Sequence, residues 1–555
     1  MSASADPDVI VIGAGITGLV ATLELLRSGH TVALLDRCEP RELGGLAREA
    51  FGGMFMVDSP EQRRSRIADS EQLALEDWLR IAQFSDDDVW PRRFAEQYVL
   101  RARDDVGGWL REIGVRFFPV VNWAERGNFS DGNSVPRFHL TWGTGKALVQ
   151  AVWAAIEAHP HRDRLRVSFR SRVTQLLRDG DAVHGCLFER EPGEHELKAS
   201  KAVVIAAGGI GGNLEMVRRQ WPTDQLGTAP RNLLMGSHYY ADGALHEETR
   251  RLGGNVTHLS RMWNYADAVR HPKPQREHHG IKLIPPRSGV MLNPDGRRYG
   301  PVPVMPTFDA YAALERTCED ERGYSWLICN WKIATRELDV SGSQHNPHLR
   351  ERQLARFLAS VLFGKRSLVR HFADHCPDFV LADSVTQLAR AMNELTGEEA
   401  IDAEVLEREI GRYDEMIARG KSLFNDDQLR RIAQLRSWRG DRLRTCAFQR
   451  IVDAKAKPLI AIRLQVMARK SLGGIQTDLA CRVLRESDGK PIPGLYAVGE
   501  AAGFGGGGMH GKRSLEGTFL GGCVFTGRLA AAAIAGRELP QRTPLGAARA
   551  RPASE

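Results

Sequence analysis

Two short clusters of cationic side chains sit beside glycines. Arg469 and Lys470 precede Gly473-Gly474, and His510, Lys512 and Arg513 follow the run Gly505 to Gly508. Glycine lets a backbone approach a bound ring closely, and guanidinium or ammonium groups there can anchor an anion or polarise a carbonyl oxygen. Two phenols are candidates for proton transfer: Tyr265 in R-M-W-N-Y and Tyr324 in R-G-Y-S-W. Each has a packing alternative. A histidine among glycines can lie under a ring, Arg469 and Lys470 can neutralise a pyrophosphate or cap a sheet edge, and a tyrosine in an apolar run can be core.

The element that must position such groups opens the chain. Asp8 to Asp36 reads D-V-I-V-I-G-A-G-I-T-G-L-V-A-T-L-E-L-L-R-S-G-H-T-V-A-L-L-D, an apolar strand, three glycines, a helix over Ile16 to Arg27 and a second strand ending on an acid. Gly13 permits the tight turn, Gly15 admits a pyrophosphate and Gly18 allows close helix-strand packing. The helix N-terminus aims its free N–H groups and positive dipole end at the phosphates, and Asp36 can accept hydrogen bonds from an adenosine ribose. Gly13, Ala14, Gly15, Thr17, Gly18, Asp36 and Arg37 are thus expected to hold a dinucleotide. The same stretch is not a membrane segment, because glycines and Glu24 interrupt it and no basic region precedes it.

A chain of 555 residues can bury two or more cores. With 42% hydrophobic and 26% charged residues it has the composition of a soluble globular protein. The net charge of +7 is spread among acids along the chain, which reads as solvated surface rather than a nucleic-acid face. Eight cysteines without a C-x-x-C pair suggest neither zinc nor a disulfide framework, so no metal and a reducing cytoplasm are expected, with no integral membrane segment.

Three more glycine stations follow apolar strands: Leu43 to Phe55, Lys201 to Asn213 and Pro493 to Gly522, the last leading into an apolar helix to about Gly536. Returning to a strand and glycine turn near the C-terminus implies that the middle of the chain leaves the nucleotide domain and comes back. The expected layout is a nucleotide-binding domain over 1–269 and 456–540, an inserted substrate domain over 270–455, helical in places such as Asp402 to Arg419, and a loose tail over 541–555.

Taken together, G-A-G-I-T-G (13–18), G-G-L-A-R-E-A-F-G-G (44–53), A-A-G-G-I-G-G-N (206–213), L-G-G-I-Q-T-D (472–478) and G-L-Y-A-V-G-E (494–500) resemble the flavoprotein family of fumarate reductases, succinate dehydrogenases and 3-ketosteroid dehydrogenases. R-F-F-P-V-V-N-W-A-E-R-G (116–127), N-S-V-P-R-F-H-L-T-W-G-T-G (133–145) and the block His510 to Cys523 make the bacterial ketosteroid dehydrogenase-like members the nearest likeness. The resemblance implies an α/β fold, a Rossmann-type FAD-binding domain with an inserted α+β cap domain and an active site between them. It also implies that Gly44, Gly45, Gly52 and Gly53 line the phosphates and flavin, that Glu500 contacts the ribityl region, and that Thr144, Gly145, Ala207, Gly208 and Gly499 belong to the cofactor site. Leu43 to Phe55 lacks the histidine through which succinate dehydrogenases attach FAD, so the FAD is expected to be non-covalent.

The family chemistry is removal or addition of hydrogen across a carbon-carbon bond beside a carbonyl. Ketosteroid dehydrogenases place a tyrosine near the last glycine station, whereas Gly505 to Gly522 holds none. Fumarate reductases clamp carboxylates at positions matching Arg469, Lys470, His510 and Arg513, yet their cap motif is absent from Trp263 to Tyr299. His139, Trp142, Asn122, Trp123 and Glu125 are expected to shape the pocket. The leading expectation is an FAD-dependent dehydrogenase of a small hydrophobic ketone; the alternatives are a reductase of an unsaturated acid and a nucleic-acid-modifying flavoprotein. With no second dinucleotide fingerprint, electrons are expected to pass to a quinone, a protein or oxygen.

Overall fold

The computed structural model describes residues 6–127, 131–305 and 308–537; the tail expected at 541–555 lies outside the described residues. Strand Val9–Ile12 is fully buried and pairs in parallel with Val32–Leu35 on one side and Ala202–Ile205 on the other. Leu165–Ser168 extends the sheet at one edge, and Pro491–Ala497 with the antiparallel Arg482–Leu484 at the other. Ile12 is in register with both Leu35 and Ile205, so three strands end level and deliver Gly13, Asp36 and Ala206 to one carboxyl edge. That edge is where ligands bind in doubly wound sheets.

Close packing at this edge tolerates only glycine. A Cβ on Gly18 would lie 1.9 Å from the Gly13 carbonyl oxygen, and one on Gly13 would lie 2.5 Å from the Ala206 carbonyl oxygen. The helix over Ile16–Arg27 forms as its apolar run requires, and the return helix Thr518–Ile534 packs against it through Gly527 and Val20.

A second sheet is built around one long strand, Leu459–Ser471. It pairs antiparallel with Met262–Arg270, Tyr324–Asn330 and Phe379–Ala382, and in parallel with Leu234–Met235. Helices Val385–Thr396, Ala403–Ala418 and Asp427–Ser437 supply Leu388, Ile410 and Ile432 to an apolar core shared with Trp326, Ile460 and Ile462 of this sheet. Met262–Arg270 ends at the expected junction at 270, and Leu459–Ser471 begins four residues beyond the one at 455, and both strands belong to this second sheet. Among the described residues, no helix is long and apolar enough to cross a membrane.

A buried ion triad stands beside a separate two-stranded sheet. The fully buried Arg137 bonds Asp69 at 2.8 Å and Asp77 at 2.5 Å, both carboxylates also having no exposure. It fixes the strand Phe138–Leu140, which pairs with Gly53–Phe55. Replacing Arg137 by Met keeps apolar volume but strands two buried carboxylates, so urea titration of Arg137→Met is expected to show a loss of ~3–5 kcal/mol in unfolding free energy.

Candidate functional site

The carboxyl edge of the first sheet opens into a long cleft. Gly13, Gly15, Thr17, Asp36, Arg37, Gly44, Gly45, Ala207, Gly208 and Glu500 line it, joined by Arg469, Lys470 and Phe519. A Cβ on Gly15 would meet nothing within 4 Å, so the bare backbone faces open space, and the helix it begins has no side-chain cap on its N–H groups. Asp36 is held at the strand end by N–H groups of Ala14 (2.5 Å) and Cys38 (2.7 Å). Arg37 stacks 4.0 Å over the Tyr240 ring and pairs with Asp242, giving a flat shelf beside Asp36. An uncapped helix terminus, an open glycine cradle and an oriented carboxylate together fit an adenine dinucleotide.

Seven other sequence candidates do not line this cleft, because close packing uses them up. The Ala14 N–H is taken by Asp36, and Gly18 lies against Gly13. A Cβ on Gly52 would press on the Gly145 nitrogen at 2.8 Å, one on Gly53 would enter the Phe138 ring at 1.7 Å, and one on Gly145 would meet the Ala47 carbonyl at 1.9 Å. Thr144 bonds Ser343, and the Gly499 N–H donates to Thr526.

Glu500 reaches the cleft from the return segment and accepts the Ser471 N–H at 2.9 Å. Burial pushes its carboxyl up to about 7, against the opposing pull of that hydrogen bond and of Lys470. The bond ties the return segment to the end of the long strand, which delivers Arg469 and Lys470 to the cleft.

There the structure assembles a polar group inside an apolar wall. Lys470 Nζ donates to the Tyr265 hydroxyl at 3.0 Å, and that hydroxyl donates to Glu516 Oε1 at 2.6 Å. Trp263 Nε1 donates to the same oxygen at 3.2 Å. Lys470 also lies 4.0 Å from the Phe519 ring centroid. Desolvation brings the Lys470 ammonium down to about 8, although Glu516 opposes the shift. Burial alone would raise Glu516; Lys470, Lys282 and the donors Tyr265 and Trp263 outweigh it and hold the carboxyl below its ordinary value. Burial and the Glu516 charge drive the Tyr265 phenol well above its ordinary value, so it stays protonated between an ammonium and a carboxylate.

Lys282 sits 4.4 Å from the Tyr265 ring centroid and pairs with Asp267 at 2.8 Å. Desolvation opposes its charge, but Asp267 and Glu516 hold the ammonium above its usual value. Glu125, buried and near Glu516 and Asp309, is pushed well above its ordinary value, chiefly by desolvation.

The other sequence candidates lie apart from this group. His510 is enclosed by Trp78 (5.7 Å, stacked), Phe504 and Phe519, with Nε2 on Thr518; burial takes it down to about 3, so it is a neutral packing ring. Arg513 is committed to Asp309 at 2.5 Å and stacks on Tyr311. Arg469 donates to the Gly236 carbonyl. Tyr324 is in the second sheet's core, edge-on to Trp326 and opposite Gln465 rather than Lys470. His139 is buried and bonded to Ser59, Trp142 packs with Phe118, Asn122 accepts from Arg444, and Trp123 bonds the Asn133 carbonyl.

Sequence reasoning missed Glu516, Trp263, Lys282 and Asp267. Glu516 stands inside the block H-G-K-R-S-L-E-G, the one available signal; Lys282 and Asp267 meet only through the pairing of Ala268 with Lys282 across two strands.

Residues 8–520 match the family model described as the FAD binding domain. The chain belongs to this FAD-binding family. A KsdD-like steroid dehydrogenase from Mycobacterium tuberculosis is 43% identical over 544 residues, 94% of each chain. The fold is shared with 3-ketosteroid delta1-dehydrogenase from Sterolibacterium denitrificans (TM-score 0.69, 17% identity, 96% of this chain and 99% of that one). It is also shared with an open flavocytochrome c3 fumarate reductase (TM-score 0.66, 21% identity, 97% and 80%).

Removing the Glu516 charge takes away the main force that keeps Lys470 protonated. In Glu516→Gln, a pH titration of the holoenzyme's visible flavin spectrum is expected to move the lysine's midpoint below about 8, and in Lys470→Met that step is expected to vanish.

Proposed function

We propose that this FAD-dependent dehydrogenase introduces a carbon-carbon double bond next to the carbonyl of a hydrophobic, steroid-like ketone. The observation that carries the reading is the buried chain Lys470, Tyr265, Glu516 beside the cofactor cleft. Bound FAD supplies the hydride acceptor. The remaining N–H groups of Lys470 polarise the ketone oxygen and stabilise the negative charge that develops there as an α-proton leaves. Tyr265 accepts that proton at its hydroxyl oxygen while passing its own to Glu516, a transfer the 2.6 Å bond prepares. Trp263 fixes the carboxylate, and Phe519 walls the group from water. The steroid dehydrogenase names of the relatives at 43% identity support the substrate class.

FAD is held non-covalently in this reading, supported by the absence of histidine from Leu43 to Phe55. The eight free cysteines suit a reducing cytoplasm, and the electrons leave to a quinone, a protein or oxygen.

One observation favours the second reading, reduction of an unsaturated acid. A cavity of 650 Å³ adjoins the cleft, with Arg48, Arg276, Arg469 and Lys282 on its wall against the carboxylates Glu42 and Glu49. Among the described residues, Arg48, Arg276 and Arg469 form no ion pair, and Arg276 Nε is buried without a partner, which suits a carboxylate-bearing substrate.

Anaerobic addition of a 3-ketosteroid is expected to bleach the visible flavin band, and Tyr265→Phe is expected to slow that bleaching by ~10²–10⁴-fold. Absence of bleaching by any ketone, with reoxidation of dithionite-reduced enzyme by an unsaturated acid, would establish the second reading instead. Acid precipitation is expected to leave all the flavin in the supernatant.

A further inference from the structure

The helix Leu354–Phe363 has no buried residue. Leu354, Leu358 and Leu362, spaced four apart, stand on one stripe at 51, 46 and 52% exposure, and Phe363 at its end is 81% exposed. Ten large apolar side chains are exposed among the described residues, and four of them are in this ten-residue helix. The helix is nevertheless firmly mounted. Phe357 packs edge-on to Phe118 at 5.2 Å on the inner side, Arg336 donates to the carbonyls of Val361 and Leu362, and the Lys365 N–H donates to the Thr335 carbonyl.

The charge around the stripe has one sign. Residues 352–373 carry Arg352, Arg356, Lys365, Arg366 and Arg370 and not one Asp or Glu. Lys365 is neutralised by Asp339, while Arg352, Arg356, Arg366 and Arg370 are exposed. Leucines and a phenylalanine projecting between arginines, with no acidic residue, match the boundary of an anionic bilayer, where apolar side chains enter the acyl region and arginines meet phosphates. An acidic protein partner fits less well, because ten residues of helix offer little area for a stable protein interface.

We infer that this helix seats the enzyme on an anionic phospholipid surface, lying in the interface plane. The segment just before it supplies Ser341, Ser343 and Arg350 to the wall of the cavity beside the cofactor cleft, so the seat brings that opening close to lipid. The inference about docking stands without the proposed function. With that function, it places the site where apolar ketones dissolve.

The test is co-sedimentation of the full-length, FAD-loaded protein with vesicles of phosphatidylglycerol and phosphatidylcholine, or of phosphatidylcholine alone. Binding is expected to the anionic vesicles and to weaken with salt. The double variant Leu362→Ser/Phe363→Ser is expected to bind about tenfold more weakly, and Arg356→Gln/Arg366→Gln is expected to lose the preference for phosphatidylglycerol; unchanged circular dichroism and flavin spectra verify that each variant folds. Failure of the wild-type protein to sediment with anionic vesicles would overturn the inference. So would binding that both variants retain, or a dimer in sedimentation velocity that the serine variant dissociates while vesicle binding is absent. Ketone turnover in detergent-free buffer reads the proposed function separately, since neither pair of substitutions touches the cleft.

Discussion

An ammonium and a carboxylate, Lys470 and Glu516, lie in the same desolvated pocket, and neither could be there alone. Burying an unpaired charge costs several kcal/mol, whereas Tyr265 between them supplies a neutral hydroxyl that satisfies both. This pairing constrains the architecture. Lys470 is at the end of the long strand Leu459–Ser471, Tyr265 is on its antiparallel neighbour, and Glu516 comes from the segment that follows the last glycine station. The second sheet must therefore meet the segment before the return helix, and the cleft runs beside that point.

The second tie at that point is Glu500 on the Ser471 N–H. A carboxyl raised to about 7 and an ammonium lowered to about 8 share one low-dielectric region, so the site holds two groups poised near neutral pH beside a phenol that remains protonated. Proximity of groups whose environments push them toward the working pH is what acid-base chemistry requires. The arginines, by contrast, are mostly occupied. Arg513 answers Asp309 and Arg137 answers two aspartates, which makes them structural counter-ions.

Glycine has different duties along the cleft. Gly15 presents backbone to open space, while Gly13, Gly18, Gly53 and Gly145 are places where any side chain would strike another strand, helix or ring. The same residue type in the same kind of motif thus marks ligand approach in one case and chain approach in the other, and only the neighbour's position separates them.

The local elements were legible because their information is local. The first strand, the helix Ile16–Arg27, Asp36 at the next strand's end and the return helix follow from apolar runs, glycine turns and helical periodicity, and each was found as read. The family was legible for the same reason, since glycine stations keep their order in the sequence. The proposed catalytic group was only half legible. Lys470 and Tyr265 were visible as chemical types, but Glu516 and Lys282 acquire meaning from cross-strand register, and His510 and Tyr324 lose theirs because aromatic packing encloses them. Residue type and spacing determine which elements form; which side chains share a pocket, and so which charges shift, is decided only when strands distant in sequence are brought into register.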